Sequence, residues 1–185
     1  MSYDERLFER LLAFHCAPVL RKKKAANMFH IKKSKFHDIQ TIITTYNRKL
    51  NIQGLFLKLF QKDKEHVTVY MYYKEMLESI LNLSDIKNFL KNYHYPYNDV
   101  DASLMYLDKR LTTCCEYPHE IGIFLGYPLC DVLGFIHQKQ CEFCGYWKVY
   151  QNVDQTSQLF SIYDKCIKET KNAILCGRCI EQLIN

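Results

Sequence analysis

Apolar positions recur along this chain with two periods, which divide it into helices and a few strands. Leu7, Phe8, Leu11, Leu12 and His15 share one face of a helix over residues 3–15. That helix should stop before Pro18, because the residue before a proline avoids helical backbone angles. Asn27 to Ile31 reads as a short strand. Phe36, Ile39, Ile43, Tyr46 and Leu50 return at three and four, the mark of an amphipathic helix. Between residues 55 and 72 the period falls to two. Leu55, Leu57 and Leu59 alternate with Phe56, Lys58 and Phe60, then Val67, Val69 and Met71 with Thr68, Tyr70 and Tyr72. With the polar turn at Asp63-Lys64 between them, these runs predict a hairpin. Helices resume over residues 74–82, over 85–91 with Ser84 as N-cap, and over 99–111 with Val100, Leu104, Leu107 and Leu111 on one stripe.

The second half is denser in special residues. Ile121 to Leu125 is an almost wholly apolar run between glycines and predicts a central strand. Pro128 is expected at the first position of a helix that buries Leu129, Val132, Leu133 and Ile136. Tyr146 to Tyr150 reads as another short strand. Asp154 is expected to cap a long final helix with Leu159, Phe160, Tyr163, Ile167 and Ile174 inward, and Gly177 to end it. No repeat, low-complexity tract or dividing linker interrupts the chain. The pattern predicts an α+β fold in which helices pack a small mixed sheet of about four or five strands, as a single domain over residues 1–185.

Composition changes this picture little. The hydrophobic fraction of 48% and charged fraction of 24% are those of a globular protein. No run of about 18 apolar residues is present, so no membrane partner is expected. The first residues, Met1 to Arg6, do not have the form of a signal peptide, so a cytoplasmic location is expected. Nine cysteines, an odd number, argue against a disulfide framework and for thiols, metal ligands or small buried residues. Cys114, Cys115 and Cys130 are read as buried residues. The net charge of +5 is concentrated in the basic stretch 21–35. Such a stretch suits nucleic acid, but no recognition motif accompanies it, and a solvated loop is the plainer reading.

Four segments carry a resemblance. They are His15-Cys16-Ala17-Pro18, Lys24-Ala25-Ala26-Asn27-Met28-Phe29, the block from His119 to Pro128 (HEIGIFLGYP) and Gly145 to Tyr150 (GYWKVY). In that order the chain resembles domain-of-unknown-function family 3793 (DUF3793), found mainly in anaerobic Gram-positive bacteria. The resemblance runs from about residue 5 to the C-terminus and implies a single-domain cytoplasmic protein. It implies no catalytic residue, so the catalytic residues stay unknown. Cys176 and Cys179 depart from the family pattern, as does the basic segment after Pro18.

Two groups of residues have the chemistry of a site. Cys141-Glu142-Phe143-Cys144-Gly145 has the form of a zinc knuckle, and Cys176-Gly177-Arg178-Cys179 offers a second thiol pair. Four thiolates would hold zinc, but residues 145–175 lie between the pairs, and no proline or glycine after Gly145 bends that path. The pairs are therefore expected apart. The second group is His15, Cys16, His119 and Glu120, expected to lie close together. Imidazole, thiolate and carboxylate are ligands for zinc or iron. Cys16 and His119 are also the parts of a cysteine nucleophile and its base. Tyr127 and Trp147 offer rings for stacking on a flat ligand beside them, as do Tyr146 and Tyr150. The leading expectation is a small protein binding a metal or a small ligand. The alternatives are a cysteine-dependent enzyme and a nucleic-acid-binding module using the basic stretch 21–35.

Overall fold

The computed structural model describes residues 1–61, 63–96, 99–113 and 117–184. Its centre is a three-stranded antiparallel sheet in the order β1-β3-β2, where β1 is Ala26–Lys32, β2 is Leu55–Gln61 and β3 is His66–Tyr73. The hairpin register pairs Leu59 with Val69, and on the far side of β3 Val69 faces Phe29. The alternation Leu55, Leu57 against Phe56, Phe60 does not separate a wet face from a dry one. One set meets one layer of helices and the other set meets a second layer, so β3 is buried from Val67 to Tyr73.

On the first face lie α1 (Tyr3–His15) and α3 (Ile39–Leu50), which bury Phe8, Leu12, Ile43, Tyr46 and Leu50 against Phe29, Leu57 and Val69. Both helices begin on side-chain caps. Ser2 Oγ accepts from Glu5 N–H at 3.1 Å, and Glu5 returns the bond to Ser2 N–H at 2.6 Å. Asp38 accepts from Gln40 N–H at 3.0 Å. Each cap contributes about 1 kcal/mol. α1 ends at His15 as its sequence requires, and Pro18 sits inside a new short turn, α2 (Ala17–Leu20).

On the second face lie α4 (Lys74–Leu81), α5 (Ser84–Lys91), α6 (Val100–Thr113), α7 (Ile121–Phe124) and α8 (Leu129–Ile136). Ser84 is the first residue of α5, and Leu83 takes the cap position instead. α7 corrects the expected central strand. The run is buried as predicted, but it is too short to span the sheet and closes its own hydrogen bonds, Ile121 N–H to Pro118 O at 3.1 Å and Leu125 N–H to Ile121 O at 3.0 Å. Gly126, at φ +77, then reverses the chain. The central strand is β3, whose Tyr70 hydroxyl donates to the Phe124 carbonyl and so ties α7 to the sheet. Pro128 precedes α8 as its cap residue and is not its first turn.

The remaining strands are two residues each. β4 (Phe143–Cys144) and β5 (Lys148–Val149) form a separate antiparallel ribbon, so among the described residues the five strands are split between two sheets and every pairing is antiparallel. The final helix, α9 (Val153–Leu175), runs unbroken for 23 residues along α1 and α2. Asn152 is its cap residue and Asp154 falls in its first turn. Gly177, at φ +83, ends it as predicted, with Arg178 N–H bonded back to Ala173 O at 3.0 Å. Among the described residues no helix is long and apolar enough to cross a membrane. Cys114 and Cys115 lie outside the described residues, and Cys130 is only part-buried.

Candidate functional site

The two thiol pairs stand at opposite ends of α9. Gly145, directly after Cys144, packs against Phe160 in the second turn of that helix, and Cys176 follows its last turn. A helix of 23 residues is roughly 35 Å long. The pairs are thus held apart, as the uninterrupted sequence between them implied. Among the described residues no three His, Cys, Asp or Glu side chains are grouped as a metal site.

His15, Cys16, His119 and Glu120 are each positioned by something else. The His15 ring stacks on Phe29 at 4.6 Å, and burial pushes its pKa down. Cys16 is wholly buried, and burial pushes its thiol up to about 12, opposite to what an activated nucleophile needs. Glu120, 1% exposed, pairs with Arg110 and accepts from the Tyr95 hydroxyl at 3.1 Å. It is a buried structural ion pair between α7 and α6. His119 turns the other way. Its ring is exposed, lies 4.9 Å edge-on from Phe135 and 6.4 Å from Tyr117, and enters a cleft.

That cleft is built from the second half of the chain. It encloses about 340 Å³ between α7, α8 and the ribbon, and its lining is mostly rings: Tyr117, His119, Tyr127, Phe135, Tyr146 and Trp147. Tyr127 and Trp147 stack at 4.5 Å with their planes 24° apart. Trp147 in turn meets Phe160 of α9 edge-on at 4.5 Å. Tyr146 packs against Phe160 and donates to Asp164 at 2.7 Å. Tyr117, Phe135 and Tyr146 are 50%, 41% and 40% exposed, so their rings are open to a visitor.

Two close approaches fix the walls. A Cβ on Gly134 would lie 2.4 Å from the Tyr150 ring, and one on Gly145 would lie 2.3 Å from Phe160. Only glycine lets α8 meet the ribbon, and the ribbon meet α9, at these distances. The ribbon is then pinned from within by Asp131, a buried carboxylate in an otherwise apolar helix. It accepts from Trp147 Nε1–H and from Tyr150 N–H, both at 2.8 Å. The Trp147 plane is thereby set by hydrogen bonds as well as packing.

Tyr127 is supported by Lys24. The lysine is 5% exposed, and its ammonium sits 5.1 Å over the Tyr127 ring and donates to Asn27 Oδ1 at 2.8 Å. Asn27 donates onward to the His15 carbonyl. Burial holds the Lys24 ammonium down to about 8. The helix end at His15, the strand entry at Lys24–Asn27, the turn at Tyr127 and the ribbon at Trp147 are therefore one connected structure.

Of the residues singled out in the sequence, the fold brings His119, Tyr127, Tyr146 and Trp147 to one cleft. It does not gather His15, Cys16 and Glu120 with His119 into a ligand set. Sequence reasoning passed over Asp131, Phe135 and Lys148. A charge amid Leu129–Ile136 was the available signal for Asp131. The basic stretch 21–35 is partly taken up by the fold. Lys24 is buried, Lys22 lies 5.2 Å over the Tyr73 ring, and Lys33 donates to the Asp63 carbonyl at 3.1 Å.

A family model described as a protein of unknown function (DUF3793) matches residues 12–184. No curated protein and no solved structure matches the sequence.

Proposed function

The chain belongs to the DUF3793 family, and we propose that it is a small cytoplasmic binding protein whose ligand is a flat aromatic molecule held in the cleft of Tyr127 and Trp147. The single observation that carries this reading is the pre-formed cleft, whose lining is mostly aromatic and whose volume falls within the range of small-molecule sites. Ring stacking gives affinity there, while His119 and Lys148 at the mouth supply the few polar contacts that orient a guest. A binding role is favoured over cysteine catalysis because Cys16 is inaccessible and its thiol is held protonated. It is favoured over metal storage because neither candidate group converges on one point.

Trp147 is the only tryptophan in the chain, so its emission reports the cleft alone. Titration with adenosine, inosine, cytidine and nicotinamide, excited at the red edge of the indole band, is expected to quench it saturably for at least one ring. Tyr127→Ala should weaken that binding about tenfold, through loss of about 1–2 kcal/mol of stacking. Emission unmoved by every ring, or quenching unchanged in Tyr127→Ala, would contradict the reading.

A further inference from the structure

The cleft has a neighbour. A second recess of about 320 Å³ shares three of its lining residues, His119, Phe135 and Lys148, and continues past them to Gln138 and Lys139. The Phe135 ring is the partition, with the Lys148 ammonium 5.4 Å over its centre. The two compartments differ in chemistry. The first is walled by rings, and its one described carboxylate, Asp131, is taken by the Trp147 indole and the Tyr150 amide. No described carboxylate lines the second, and neither Lys139 nor Lys148 forms an ion pair among the described residues. Two ammonium groups, an imidazole that can donate and the Gln138 amide converge on it. Two cations unmatched by any described acid, beside an apolar slot, form a site for a molecule with a ring at one end and negative charge at the other.

Resting on the reading of the cleft as an aromatic site, we infer that the ligand is an aromatic anion. Its ring lies in the cleft against the stacked Tyr127–Trp147 pair and Phe135, and its phosphate or carboxylate lies beyond Phe135 against Lys148 and Lys139. The lysines are at the protein surface, so they select charge without holding the fold together.

Calorimetric titration with matched pairs tests this. Adenosine against adenosine monophosphate isolates a phosphate, and naphthalene-2-methanol against naphthalene-2-carboxylate isolates a carboxylate. At low salt the charged member of at least one pair should bind about tenfold tighter, which corresponds to about 1.4 kcal/mol. The pair with the larger ratio identifies the anion. The preference should shrink as salt is raised toward 0.5 M, because the Debye length falls to a few ångströms. In the double variant Lys139→Ala, Lys148→Ala it should fall below about twofold, with the charged member losing more affinity than the neutral one and the melting temperature unchanged. Equal binding of charged and neutral members to the wild type overturns the inference and leaves the aromatic site standing. A preference that survives in the double variant overturns it too. Failure of both members of both pairs overturns the aromatic site, and this inference with it.

Discussion

A carboxylate in the middle of the apolar helix α8 is costly to bury unless its oxygens are engaged, and at Asp131 both are. Removing it strands two buried donors, the Trp147 indole and the Tyr150 amide. Asp131→Ala should lose about 2–4 kcal/mol in urea unfolding and shift Trp147 emission to the red. Asp131→Asn keeps one acceptor oxygen and should lose less. Equal and small losses in both would show that packing alone sets the tryptophan. Lys24 poses the opposite case, a buried cation with a neutral hydrogen-bond partner. The unfolded chain holds its proton up to about 10.5, whereas burial brings the folded value to about 8. Below pH 8 the folded state therefore carries the full penalty, and between 8 and 10.5 the penalty is relieved as the folded state gives up the proton that the unfolded chain still holds. Lys24→Met should be at least as stable as the wild type at pH 7. That advantage should shrink as pH rises from 8 to 10, when unfolding free energies are compared pairwise. An advantage that is flat or grows over this range would place the ammonium in water.

At the scale of elements, the ribbon is the piece with least secondary structure and most consequence for the cleft. Four paired residues cannot hold a ribbon in place, so its position rests on Asp131 and on two glycine contacts. Gly145→Ala forces a methyl group into Phe160 and should lose about 1–3 kcal/mol, with weaker ring binding in the same variant. An alanine there that leaves both stability and Trp147 emission unchanged would mean the ribbon is not wedged on α9. Periodicity in the sequence found α1, α3, α4, α5, α6, α9 and the hairpin, because each shows its pattern over seven residues or more. It misread Ile121–Phe124, because four buried apolar residues look alike in a strand and in a helical turn. Hydrogen bonds to Pro118 and His119 decided that case, and they depend on a chain reversal that no period records. The Tyr146–Tyr150 strand was legible only as its Lys148–Val149 core, since its partner supplies just two residues.

For the molecule as a whole, the sheet separates two roles. Its first face, with α1 and α3, is a closed core of Phe8, Leu12, Tyr46 and Leu50. Its second face carries α7 and α8, and beyond them the ribbon and the cleft. The cleft was half visible in the sequence. Rings at Tyr127, Tyr146 and Trp147 announce stacking wherever they meet, but their meeting needs α7, α8 and β5 folded together. His15, Cys16 and Glu120 misled for a related reason. Residue type suggests ligands, whereas burial assigns Cys16 to the core and Arg110 claims Glu120.

The central claim is that the cleft beside Trp147 is where a ligand binds, and the most direct test follows the single indole N–H resonance of nitrogen-15-labelled protein during titration with adenosine monophosphate. A ring stacked in the cleft is expected to shift that resonance progressively, together with the backbone signals of Tyr127, His119 and Lys148. An indole signal that stays fixed would contradict the account. So would shifts gathered elsewhere, as at the hollow of Glu78, Lys87 and Asp99 across the second helical layer.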